Sequence, residues 1–198
     1  MSILDSIARR AMIETCAVIH IANTRPTARP TDPKVGGHPA ACSSAAHILT
    51  SLHCSVREPQ DFICCKPHAA PLDHVLQGML GLFVRPDRQT WMEPKEIEEV
   101  LHRLRMSPEN GESVLQSYHA RTDPDAFHFL PSGSVGIPPV VSVYLDLAFR
   151  YAHDHSMEVP GVRTDIHFWS LIGDSEFREG SLMEAMPDAA ERQLGNVT

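Results

Sequence analysis

The sequence predicts an α/β domain with a mainly parallel sheet flanked by helices. Three observations carry that prediction. Asp61-Phe62-Ile63-Cys64-Cys65 and Thr164-Asp165-Ile166-His167-Phe168-Trp169-Ser170-Leu171-Ile172 are short apolar runs that read as buried strands. Stretches of helical apolar spacing alternate with them. Each run also passes directly into residues suited to a ligand loop, Lys66-Pro67-His68 and Gly173-Asp174-Ser175-Glu176, and in such sheets ligands sit beyond the carboxyl ends of strands.

The elements follow in order. Residues 3–22 hold Ile3, Ile7, Met12, Val18 and Ile21 among polar positions without Gly or Pro, which predicts an amphipathic helix too polar for a targeting segment. The Pro-rich stretch from Thr24 to Pro39 cannot continue it and reads as an exposed loop ending in Gly36-Gly37-His38-Pro39. Residues 1–35 thus form an N-terminal helix and loop. From Ala40 to about Cys54 the small residues predict a closely packed second helix. Helical spacing returns over 71–83 and in Pro94–Arg105, where Pro at the start and acids in the first turn suit the helix dipole. The Gly-, Pro- and Ser-rich stretch from Ser107 to Pro139 reads as a long functional connection. Helices are expected from Val140 to about His153 and over 181–194. Gly195-Asn196-Val197-Thr198 reads as the lead into a further strand, which makes the domain incomplete at its carboxyl end.

Composition narrows the function classes. The 198 residues carry 17 Lys and Arg against 25 Asp and Glu, a net charge of −8, and this acidic balance argues against a nucleic-acid binder. No stretch approaches the ~18 consecutive apolar residues of a membrane span, which excludes a membrane protein on this reading. Five cysteines without a C-x-x-C pair or a secretory signal predict reduced thiols and a cytoplasmic location.

Several residues suit chemistry. Asp174, directly after a buried strand and a glycine, is a hard oxygen donor of the kind Mg²⁺ takes together with phosphate oxygens and water. Gly173 and Ser175 let backbone and hydroxyl donors approach a diphosphate; as an isolated triplet, G-D-S is equally an ordinary turn and helix cap. His38 and His68 each stand in a loop where an imidazole can donate or transfer a proton, and where a solvated histidine is the blander alternative. Ser132 to Pro139 is a ligand-cradling loop or a helix-initiating turn. Cys64 and Cys65, inside an apolar strand, are small hydrophobes rather than nucleophiles. The remaining histidines lack H-x-x-x-H or His/Cys spacing, so no zinc site is expected, and His153-Asp154-His155 reads as a solvated helix end.

In order and spacing, five segments resemble the amino-terminal half of the diphosphate-binding (PP-type) domain of thiamine-diphosphate enzymes of the transketolase and homodimeric pyruvate dehydrogenase E1 kind. They are Ala8-Arg9-Arg10, Lys34-Val35-Gly36-Gly37-His38-Pro39, Lys66-Pro67-His68-Ala69-Ala70-Pro71, Gly133-Ser134-Val135-Gly136 and Gly173-Asp174-Ser175-Glu176, and together they span nearly the whole chain. The resemblance implies one incomplete domain over 1–198 with thiamine diphosphate and Mg²⁺ as cofactors. Asp174 would be the Mg²⁺ ligand, and Gly173, Ser175 and Glu176 would lie along the diphosphate, with Ser175 standing where the family has the third glycine of its G-D-G motif. His38 and His68 would be the catalytic histidines facing the thiazolium and substrate. Ser134, Val135 and Gly136 would border the aminopyrimidine.

The resemblance further implies a second Mg²⁺ ligand, an Asn about thirty residues beyond G-D-G, and an activating glutamate in a pyrimidine-binding domain. A partner or second subunit would supply that domain, the substrate would be a 2-oxo acid or ketose phosphate, and a homo-oligomer would form. The chain alone would be inactive. The alternative is a non-catalytic remnant that binds or oligomerises through an uncovered sheet edge.

Overall fold

The computed structural model of the chain describes residues 2–27, 30–31, 34–35, 39–107, 111–125, 133–157 and 165–198. They group into two compact units, Met1–Val56 with Pro67–Phe127, and Arg57–Lys66 with His128–Thr198. The chain is mixed α/β, with a small parallel sheet in the second unit. No helix among the described residues is long and apolar enough to cross a membrane.

The first unit is helical. Helix α1 (Ile3–Thr24) starts at a reciprocal cap in which Ser2 Oγ accepts from the Asp5 N–H and the Asp5 carboxylate accepts from the Ser2 N–H. Its buried stripe is Ala8, Ala11, Thr15, Val18, Ile19 and Ala22. Helix α2 (Pro39–Ser51) buries Cys42, Ala45, Ala46, Leu49 and Thr50 and packs on α1, so the close approach expected from small residues is present. A π turn over Leu52–Val56 ends it.

Helix α3 (Ala70–Met79) packs on both and is buried nearly all round, with Asp73, His74 and Gln77 beside Leu72, Val75 and Leu76. It stops before the expected residue 83 because Gly81 takes φ +72 and the closing amides of Leu80 and Leu82 turn back to Leu76 and Gln77 carbonyls. Helix α4 (Pro94–Leu101) buries one face through Ile97, Val100 and Leu101, and Glu96 joins Arg85 at 2.9 Å. Residues 111–125 are tied in by pairing: Leu104 bridges Leu115, and Phe83 bridges Asp125. The described residues 111–125 of the expected long connection are thus paired with residues outside it.

The second unit alternates strand and helix. Strand β1 (Phe62–Cys65) pairs in parallel with β2 (Phe168–Leu171), Phe62 opposite Phe168 and Cys65 opposite Leu171. Val197 bridges Phe168 in parallel on the other edge of β2, through Thr198 N–H to Phe168 O at 3.0 Å and Ser170 N–H to Thr198 O at 2.8 Å. The strand lead read at 195–198 thus pairs as a strand does. Helix α5 (Ile137–Asp154) packs on both strands, and α6 (Gly180–Glu191) packs on α5. Phe168 stacks on Phe62 and meets Phe149 edge-on at 5.5 Å. A hydroxyl chain crosses this core, Ser170 Oγ donating to Ser142 Oγ and Ser142 Oγ to Cys64 Sγ. Cys64 and Cys65 are buried, and burial pushes the Cys64 thiol up, which suits a hydrophobe rather than a nucleophile.

Asp61 locks the amino ends of the two strands. Its carboxylate accepts from the Trp169 indole at 3.0 Å and from the Glu58 and His167 backbone N–H at 2.9 and 3.1 Å. Burial opposes its ionisation, but these donors outweigh burial and hold the carboxyl below the ordinary 3.8. A depressed folded-state value stabilises the fold above pH 3.8, and that contribution fades as pH falls through the folded value. Asp61→Asn is therefore expected to cost roughly 1–3 kcal/mol at neutral pH. In urea unfolding followed by tryptophan fluorescence, the gap to the wild type should narrow below pH 3.8.

Candidate functional site

Parallel pairing puts the carboxyl ends of β1 and β2 on one edge of the sheet, where Lys66 leaves β1 and Ile172-Gly173-Asp174-Ser175 leaves β2. Glu176 organises this edge. It opens a single 3-10 turn (Glu176–Arg178) and is buried; Oε2 accepts the Gly173 N–H at 2.6 Å and Oε1 the Gly136 N–H at 3.2 Å. One carboxylate thereby fastens the loop after β2 to the residue that caps α5.

Gly136 needs to be glycine, and Gly173 is tightly placed. Gly136 has φ +85, and an added Cβ would fall 2.7 Å from Glu179 Cβ. A Cβ on Gly173 would press against Glu176 Oε2 at 3.3 Å, with Lys66 Cδ at 3.8 Å. Pro138 and Pro139 then carry α5 forward from its first turn, where missing N–H groups cost little.

Within this frame Asp174 is exposed on the turn and makes no hydrogen bond to a described residue. Ser175 is exposed beside it, and Ser134 and Val135 are exposed just before Gly136. The two segments Gly133-Ser134-Val135-Gly136 and Gly173-Asp174-Ser175-Glu176 therefore meet at the carboxyl ends of the strands. Glu176 differs from its neighbours in that its carboxylate is committed to two backbone amides. Its role here is to position the loops.

The two histidines stand differently. His38, with Gly36 and Gly37, lies outside the described residues. His68 belongs to the first unit, half-buried on the 3-10 turn Pro67–Ala69 that leads into α3; its ring meets Tyr118 edge-on at 5.7 Å, and its carbonyl accepts the Cys42 thiol at 3.6 Å. At the end of α5, His153, Asp154 and His155 are exposed, and His155 Nδ1 lies 2.8 Å from Tyr151 O.

A second assembly, unforeseen in the sequence, lies in the first unit. Asp73 sits 2.6 Å from His53 Nε2 and 3.1 Å from His119 Nε2, and accepts from Gln77 at 3.0 Å. Next to it on α3, His74 places Nδ1 2.6 Å from Asp125 and Nε2 3.1 Å from Gln116 O, 4.0 Å from Asp123. The His74 and His119 rings meet edge-on at 4.5 Å. Burial works against a charge on His74, but Asp125, with Asp123 and Asp73, overcomes it and lifts the imidazole to about 9. Burial raises Asp123 despite the opposing pull of His74. The one sequence signal for this group is the polar set Asp73, His74 and Gln77 within a largely apolar helix. His119, Asp123 and Asp125 lie more than forty residues further along the chain, so local spacing could not join them to it.

Comparison of the chain with known proteins found no family model that matches and no curated protein that matches.

The Glu176 brace predicts two outcomes in urea unfolding of the full chain. Glu176→Gln turns a donor toward one of the two amides and should cost roughly 1–3 kcal/mol. Gly136→Ala meets both the left-handed backbone and Glu179, and should lose about 1–3 kcal/mol, whereas Gly195→Ala, with open space around it, should be near neutral.

Proposed function

We propose that the chain is the diphosphate-binding part of a thiamine-diphosphate and Mg²⁺ dependent enzyme with the corresponding fold. It would decarboxylate a 2-oxo acid, as a pyruvate dehydrogenase E1 does, or transfer a two-carbon ketol unit, as a transketolase does. The pyrimidine-binding domain would come from the rest of the protein or from a partner subunit. The observation that carries this reading is the bridge from Glu176 to Gly136 and Gly173, because it joins two of the five resembling segments at the carboxyl edge of a parallel sheet.

The residues fit the group. Asp174 offers exposed carboxylate oxygens, the donor type Mg²⁺ takes once or twice before filling its octahedron with phosphate and water. Ser175 adds an exposed hydroxyl, and the Cβ-free backbone at Gly173 and Gly136 keeps the loops close. When bound, thiamine diphosphate supplies the carbanion-stabilising centre that the reaction needs. Asp174 would hold the metal, Ser175 would donate toward the diphosphate, and the Ser134-Val135-Gly136 turn would border the aminopyrimidine. The proton-transfer roles proposed for His38 and His68 rest on the resemblance of their segments.

Calorimetric titration of the full chain with thiamine diphosphate and Mg²⁺ tests this, run with and without a polypeptide carrying an E1-type pyrimidine-binding domain. Cofactor-dependent heat is expected with the partner, weakened at least about tenfold by Asp174→Asn. No heat in either arm overturns the proposal and leaves a non-catalytic binding module.

A further inference from the structure

We propose that His74, His119 and Asp123 form a site for a divalent transition-metal ion of the zinc type, separate from the Mg²⁺ position assigned to Asp174. One ligand atom from each lies within 4.8 Å of the others. Two ligands on a tetrahedral ion with bonds of about 2.1 Å stand about 3.4 Å apart, so small side-chain movements close the set. His74 comes from a rigid helix, whereas His119 and Asp123 come from the segment 111–125, so the ion would clamp that segment onto α3.

The surroundings are those of a built metal site. Ligating histidines characteristically give their second ring nitrogen to a carboxylate, which fixes the tautomer and raises ligand basicity. His74 already has Asp125 on Nδ1 at 2.6 Å, while Nε2 lies 3.1 Å from Gln116 O and 4.0 Å from Asp123. Asp123 is aimed by the Ala120 and Gln116 backbone N–H groups at 2.8 and 3.2 Å. Asp73, beside His119, is held by His53 and Gln77 and stands as a further oxygen donor.

Charge favours a cation. Asp73, Asp123 and Asp125 are at most 4% exposed, and three carboxylates removed from water demand positive charge among them. An entering divalent ion replaces the proton that His74 Nε2 shares with Gln116 O, and that proton leaves to solvent. The donors are imidazole nitrogen with carboxylate oxygen and no thiolate, a set that suits zinc, cobalt, nickel or iron over magnesium or calcium.

Co²⁺ titration of the chelator-treated full chain tests this, in the Asp174→Ala background so that the strand-end carboxylate contributes nothing. The expected result is a single equivalent of Co²⁺ per chain with the intense visible absorption of four-coordinate cobalt, its displacement by Zn²⁺, and a rise in Tm with either metal. His119→Ala should abolish the absorption, Asp125→Asn should weaken binding about 10–100-fold, and His155→Ala, at an exposed helix end, should change nothing. Should His119→Ala fail to fold, the parent titration decides by itself. Weak octahedral absorption, no displacement by Zn²⁺, an unchanged Tm, or binding that survives His119→Ala overturns the proposal.

Discussion

The strand-end site depends on one buried carboxylate accepting two backbone N–H groups. Glu176 lies among the β2 loop and the α5 cap, where the Gly173 and Gly136 amides satisfy both of its buried side-chain oxygens. The requirement runs outward. Glycine is required at Gly136, which adopts a left-handed backbone, and at Gly173 a Cβ would crowd Glu176 Oε2. Two such loops would ordinarily have wide conformational freedom. The carboxylate removes it, and Asp174 and Ser175 gain a fixed base from which to face solvent.

The same physics explains what could be read along the chain. Strands β1 and β2 and helices α1, α2, α5 and α6 were legible because burial on a sheet face or helix stripe imposes a period that local residues obey. Their ends were less so. α3 closes at Gly81 through carbonyls within its last turn, and α4 ends at Leu101 with Arg105 already at positive φ. The segment 111–125 reads as connection because its order comes from partners outside it. Leu115 pairs with Leu104, Asp125 with Phe83, and nothing in its own composition announces either.

The candidate site was legible in part for a related reason. Gly173, Asp174 and Gly136 stand at strand and helix ends, where topology alone says ligands gather. The resemblance puts Glu176 along the diphosphate, whereas its side chain, only 3% exposed, holds the two loops through their amides. The polar core around α3 was hidden more thoroughly. Asp73, His74 and Gln77 on an apolar helix signal that something polar must meet them, but the identity of the partners depends on how a distant segment folds back.

The two polar centres also differ in how they can treat a cation. Asp174 keeps its water, so an ion there gives up little hydration at the protein and needs further oxygens from a phosphorylated ligand to be held well. His74, His119 and Asp123 have already lost solvent, and their oriented nitrogens favour an ion that accepts few ligands at short distance. Magnesium, which sheds water reluctantly, suits the first setting and is poorly served by the second. A zinc-type ion gains from imidazole what an exposed lone carboxylate cannot offer. Under the two proposals, donor chemistry and burial would give the two centres opposite affinity preferences between these ions.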